Sequence, residues 1–298
     1  MTQVNWKNKK WIWYTLYCVL LALAISYYRF PSDALKDYFN ENARRINPLL
    51  NVSFERLTPS FPFGLKLIQA EFSLEENPET ALFKADVITF RPRLWSFFQK
   101  YPEYQFQCSA YGGKLKGRTF SVKKDSDLLY NASIVLEDID MDENFPVSAI
   151  IGDRLEGTLN GNITYAGEKA SPADGTGDAI LTLSAGRIKL LEPVFDLESI
   201  EFDEVLLNFA LKDQKLNVSN VELRGKEMHG KASGTIYLGK ELLESSVDLK
   251  GTIELYADLF VNSPKARDVI SFFKQGLQDG KLAFNIKGTI KDPRINFI

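Results

Sequence analysis

One histidine and two cysteines leave most metal and redox chemistry without ligands in this 298-residue chain. A three-histidine zinc centre, a four-cysteine cluster and a disulfide framework all need more. A nucleophile–base pair would have to use His229, whose neighbours Met228, Gly230 and Lys231 form no nucleophile elbow. A basic excess is also missing: 36 Lys+Arg stand against 39 Asp+Glu, a net charge of −3, which argues against a nucleic-acid partner. Only one long apolar run occurs, so a polytopic membrane protein is excluded. At 45% apolar and 25% charged residues, a disordered or collagen-like chain is excluded too. These absences predict a protein that is not an enzyme and holds no cofactor or metal.

Two motifs look chemical and fail on inspection. Gly112-Gly113-Lys114-Leu115-Lys116-Gly117-Arg118-Thr119 nearly spells a phosphate-binding loop, but Arg118 stands where lysine is needed. Phe120 and Val122 then continue as a strand, so a glycine hairpin is expected. The acidic run from Glu137 to Glu143 starts like a calcium loop, yet Glu143 replaces its glycine and Ala149 its closing glutamate.

The apolar run is residues 11–28, 18 positions without a charge. As a helix it spans roughly 27 Å, close to the hydrocarbon core of a bilayer. Trp11 and Trp13 stand at one end and Tyr27 and Tyr28 at the other, with Leu16, Leu20 and Leu23 between. Aromatics at both ends form an interfacial belt. Lys7, Lys9 and Lys10 precede the run, which puts residues 1–10 in the cytoplasm and 29–298 outside. A cleaved signal peptide ending at Ala22-Leu23-Ala24 is the alternative, and a buried core helix is the third reading. Cys18 lies inside the run and Cys108 far outside it, so the two do not pair, and Cys108 reads as a small buried hydrophobe.

An amphipathic helix is expected over 32–47, with Ser32 as N-cap and Leu35, Tyr38, Phe39 and Ile46 on one face. From residue 51 the period becomes two. Val52, Phe54 and Leu57 nearly alternate, and Leu65, Leu67, Ala70, Phe72 and Leu74 do so with one slip. More than ten such runs follow, bounded by Gly, Asn, Asp and Pro, which is a strand signature with short antiparallel turns. Short helices are expected at 93–98 and at 264–278. Gly-Thr-Leu or Gly-Thr-Ile recurs at Gly157, Gly234, Gly251 and Gly288, a strand in which glycine admits a bulge or a close approach.

The expected fold is mainly β: one transmembrane helix, then an elongated, curved, mostly antiparallel sheet, groove- or sandwich-like, with a few short helices. So few helices do not cover ten strands, so the apolar face must fold on itself or meet a partner.

The stretch 30–67, FRPRLWSFFQ at 90–99 and CSAYGGKLKG at 108–117 resemble the type II secretion system protein N (GspN) family. Gly112-Gly113-x-Leu115-x-Gly117 and the ending NIKGTIKDPRINF also resemble AsmA-like envelope proteins. The first resemblance implies a single-pass inner-membrane component with its bulk in the periplasm. It would act as a non-catalytic accessory to export of folded proteins, among other secretion components. The second implies a hydrophobic β groove that binds or shuttles lipid. Neither transfers a catalytic residue.

Overall fold

The computed structural model describes residues 9–32, 35, 38, 41, 50–61, 63–74, 77–99, 101–124, 127–141, 154–168, 172–194, 197–239, 242–256 and 281–298. The helix expected at 264–278 lies outside them, as do Lys7 and the acidic run beyond Met141.

The chain opens with α1 (Lys9–Tyr28), so Lys9 and Lys10 begin the helix rather than precede it. Among the described residues no helix is long and apolar enough to cross a membrane. Ser32, Leu35, Tyr38 and Glu41 are helical. Fourteen described strands follow: β1 (Leu50–Ser60), β2 (Gly64–Leu74), β3 (Asn77–Pro92), β4 (Glu103–Ala110), β5 (Gly113–Lys124), β6 (Asp127–Asp140) and β7 (Arg154–Glu168). The second half holds β8 (Thr176–Val194), β9 (Leu197–Lys212), β10 (Lys215–Arg224), β11 (Met228–Tyr237), β12 (Ser246–Leu255), β13 (Lys281–Thr289) and β14 (Pro293–Phe297). They form a single sheet in strict chain order, every pair antiparallel. The piece expected at 93–98 is a 3-10 turn, Leu94–Phe98.

Most of the connections are short, which keeps the entropic cost of each pairing small; those between β6 and β7 and between β12 and β13 are longer. At about 4.8 Å per strand, thirteen steps carry the sheet about 62 Å along its hydrogen-bond direction. The chain exposes 20374 Å², about 1.6 times the roughly 12,800 Å² of a compact monomer of its mass. Among the described residues, two clusters of buried hydrophobic side chains form, while others such as Val218, Met228, Val247 and Leu282 are buried outside them. One cluster joins Val52, Phe54 and Leu57 of β1 to Leu67, Ala70, Ile88, Cys108 and their neighbours on β2 to β4, with Phe30 and Leu35 packed against it. The other joins Met141, Leu183, Phe202 and Val205.

The slip in the β2 alternation has a backbone cause. A one-residue offset in a strand sends every later side chain to the opposite face. Gln69 takes φ 49°, a left-handed conformation, and turns the strand over, so Leu67 and Ala70 both stay buried. Asp138 (φ 52°) does the same between Leu136 and Ile139, where the β6–β7 register shifts. Ala185 (φ 50°) follows Leu183, opposite another register shift in β7. The bulges at Asp138 and Ala185 bend their strands and increase their twist, whereas the register runs unbroken past Gln69.

Glycines seat aromatic rings on the sheet. Gly117 lies opposite Phe106, and Gly251 opposite Phe284. A Cβ at either position would run into the facing ring, and at Gly251 also into the Lys231 carbonyl. Backbone contact makes Gly251 the harder to substitute. Gly251→Val is expected to cost about 1–3 kcal/mol through overpacking. Thr252→Val, at the exposed neighbour, should stay within about 0.5 kcal/mol. Urea unfolding of the two variants against the parent checks the difference.

Candidate functional site: one apolar face across fourteen strands

Following cross-strand partners from one edge to the other gives a single row. It runs Leu57, Leu67, Ile88, Cys108, Leu115, Leu136, Gly161, Leu181, Leu207, Val221, Ala232, Gly251, Phe284 and Phe297. It takes one residue from each strand, and none is polar or charged. A second row runs from Pro59 and Leu65 through Phe106, Ile134, Ile163, Ala179, Phe209 and Leu249 to Ile295. A third carries Ile139, Leu159, Leu183, Val205, Leu223, Gly230, Ile253 and Leu282 from β6 to β13. Side chains two apart on a strand share a face, so these rows are one continuous apolar surface.

The face is not sealed. Apart from the two clusters, most of its members are only half-buried, and Phe90, Phe297 and Ile295 are 39%, 38% and 59% exposed. Glycine and alanine recur along the rows, so the floor is low wherever no aromatic ring lies across it. Gly112 closes the tight β4–β5 hairpin with Tyr111, both at positive φ, as the two-residue turn of a twisted ribbon requires. Gly113 starts β5 there. Gly157, Gly234 and Gly288 have positive φ of 138°, 153° and 115°, which side-chain-bearing residues rarely adopt, within or beside bulges and strand ends.

The opposite face is polar. Its matching row reads Gln105, Arg118, Ser133, Thr164, Asp178, Ala210, Asn217, Thr235, Asp248, Lys287 and Arg294. Lys116–Glu137 (2.6 Å), Lys189–Glu156 (3.1 Å) and Arg187–Glu201 (3.2 Å) bridge neighbouring strands. The densest knot surrounds Glu222, with His229 at 3.0 Å, Arg224 at 3.2 Å and Lys231 at 3.4 Å. His229 above all, then Arg224 and Lys231, hold the Glu222 carboxyl down at about 2. On the apolar side, burial first and the Asp86 charge second push the Cys108 thiol up to about 12, which makes it a packing group rather than a nucleophile. Burial, then the charge of Asp174, raises Tyr165. Among the described residues no cluster of His, Cys, Asp and Glu could hold a metal ion.

Of the anchor residues, Trp11, Trp13, Leu16, Leu20, Tyr27 and Tyr28 lie on α1 with exposed side chains. Leu23 is in the same helix, its side chain outside the described ones. Among the described side chains, the structure brings none of these to the sheet face. Sequence reading found the alternation but not the alignment of the rows, because register depends on turn lengths and bulges. Compared with known proteins, the chain matches no family model, no curated protein and no solved structure. The GspN-like and AsmA-like readings rest on the quoted segments alone.

The Glu222 knot carries a pH signature. Its carboxyl falls from an ordinary 4.5 to about 2 on folding. Its contribution is therefore complete above about pH 4.5 and disappears as the pH drops toward 2. The melting temperature of the parent should fall through that window. Glu222→Gln should start lower at neutral pH and fall less steeply, and parallel curves would mean that the knot adds nothing.

Proposed function

We propose that this protein is a membrane-anchored β sheet whose apolar face holds acyl chains of lipid. The observation that carries this reading is the pair of rows that cross all fourteen strands without one polar side chain. A face of this extent exceeds what a soluble monomer leaves uncovered, and the described elements pack chiefly on their neighbours along the chain. The ligand that fits is long, flexible and apolar. Bulges at Asp138 and Ala185 bend the strands they sit in, and a bent sheet of this pattern is a groove open along its length.

The anchor in this proposal is α1. Its uncharged run has no polar face at helical spacing, and its described aromatic and aliphatic side chains point into nothing the fold supplies. Val19, Leu23 and Ala24, whose side chains lie outside the described ones, extend the same run. With the lysines on the cytoplasmic side, the sheet stands on the periplasmic side of an inner membrane.

Irradiation of the detergent-purified full chain with a diazirine-bearing fatty acid should place cross-links on apolar-row residues of β5 to β12. Ala179→Arg and Ala232→Arg, each putting a charge on the floor, should remove most of them without a loss in melting temperature. Cross-links confined to α1 would contradict the reading. The export role implied by the GspN-like segments fits the same anchored, non-catalytic architecture. It separates on deletion of the gene: exoproteins held in the periplasm support export, and normal secretion with an altered envelope supports lipid handling alone.

A further inference from the structure

The 3-10 turn Leu94–Phe98 is built inside out. Ser96 is fully buried, whereas Leu94, Trp95, Phe97 and Phe98 are exposed, Trp95 by 77% and Phe98 by 86%. The inversion is held by hydrogen bonds. The Ser96 hydroxyl donates to the Arg93 carbonyl at 2.6 Å and accepts the Glu103 N–H at 2.8 Å. Arg93 adds a 2.8 Å ion pair to Glu103. A turn in water ordinarily buries its apolar members, so this one is fixed with its aromatics aimed at a non-aqueous medium.

A second loop reaches the same end of the sheet. The β1–β2 hairpin closes at Ser60 and Gly64, next to β3, where Arg91 donates to Ser60 Oγ at 3.3 Å. Phe61 and Phe63 on that hairpin are 83% and 51% exposed. Two neighbouring loops therefore present six large apolar side chains as one tip. Behind them, on the polar face, cations outnumber acids. Lys66, Arg91 and Arg118 make no ion pair among the described residues, and the nearby acids Glu103 and Glu137 are taken by Arg93 and Lys116. Arg91, Lys116 and Arg118 line a cavity of about 300 Å³ with Gln105, Gln107 and Ser133. On the other side the tip continues into the apolar face through Phe90 and Tyr104, both partly exposed.

From this arrangement we infer that the tip docks in a bilayer of anionic phospholipid. The aromatic side chains enter the interface and the cations meet the phosphates. The apolar face then opens where it abuts the acyl chains. Docking stands by itself, and only the passage of a chain onto the face rests on the acyl-chain reading. Charge selects the bilayer over a protein partner: an aromatic tip backed by cations that make no ion pair among the described residues matches apolar tails beneath anionic headgroups.

Trp95 supplies its own probe. The chain has four tryptophans, Trp6, Trp11, Trp13 and Trp95, so a full-length Trp6→Phe/Trp11→Phe/Trp13→Phe chain reports on the tip alone. It is reconstituted into phosphatidylcholine–phosphatidylglycerol vesicles with acyl chains brominated or plain. Trp95 should lose most of its emission in the brominated vesicles and be shielded from iodide. The loss should shrink in phosphatidylcholine alone and with added salt. Phe97→Ser/Phe98→Ser leaves the Ser96 anchor in place and should abolish the quenching at an unchanged melting temperature, as should Arg91→Glu/Arg118→Glu in large part. Emission that ignores the bromines while iodide still quenches would overturn the proposal, as would a Trp95 shielded from both, which would mean a protein occupant. Cross-links on β5 to β12 with an unquenched Trp95 would overturn the tip and spare the face.

Discussion

Unbroken neighbour-to-neighbour pairing is the constraint from which the rest of the molecule follows. Among the described residues each strand pairs only with the strands before and after it, so they make one sheet and no second layer. An amphipathic sheet has to lose its apolar face from water, normally against helices or another sheet. Here Phe30 and Leu35 cover part of the β1–β4 end, and the rows from β5 onward stay half-open. At about 25 cal/mol per Å², apolar surface left in that condition is a standing attraction for whatever apolar ligand shares the compartment. The sheet edges carry ordinary safeguards: Pro59 on β1, and Pro293 and Arg294 on a short, exposed β14.

Much of this was legible in the residues. Period-two alternation gave the strands, and Gly112-Gly113 gave a hairpin in place of a phosphate loop. The slip between Leu67 and Ala70 was visible as a fault in the pattern. Its cause, a left-handed Gln69, was not, because nothing in a glutamine announces positive φ. The alignment of the rows was hidden for a related reason. It depends on the sum of all turns and bulges, such as the extra residue at Asp138, and no local window contains that sum. RLWSFF was legible as a turn or two of helix, and it is a 3-10 turn; which way its side chains point was not, because only the buried Ser96 shows it.

α1, the tip and the face have a common chemistry. Each presents apolar side chains that the described fold leaves at least partly uncovered, and each sits beside polar groups suited to a bilayer boundary: lysines at the start of α1, arginines without an ion pair among the described residues behind the tip, and ion-paired strands behind the face. The polar face also explains why so large a sheet stays specified. Bridges such as Lys116–Glu137 and the Glu222 knot tie neighbouring strands in one register, although each exposed pair contributes little alone.

The central claim is that one face of the sheet is a lipid surface and the other a water surface. Spin labels placed one at a time along β9, from Phe202 to Leu211, test it in the full-length protein in lipid. Collision with molecular oxygen reports the apolar phase, and collision with a water-soluble nickel chelate reports the aqueous one. Labels at 205, 207 and 209 should favour oxygen, and labels at 204, 206 and 208 should favour nickel, in strict alternation. Equal access to nickel at both sets would mean that no lipid occupies the face and would contradict the account.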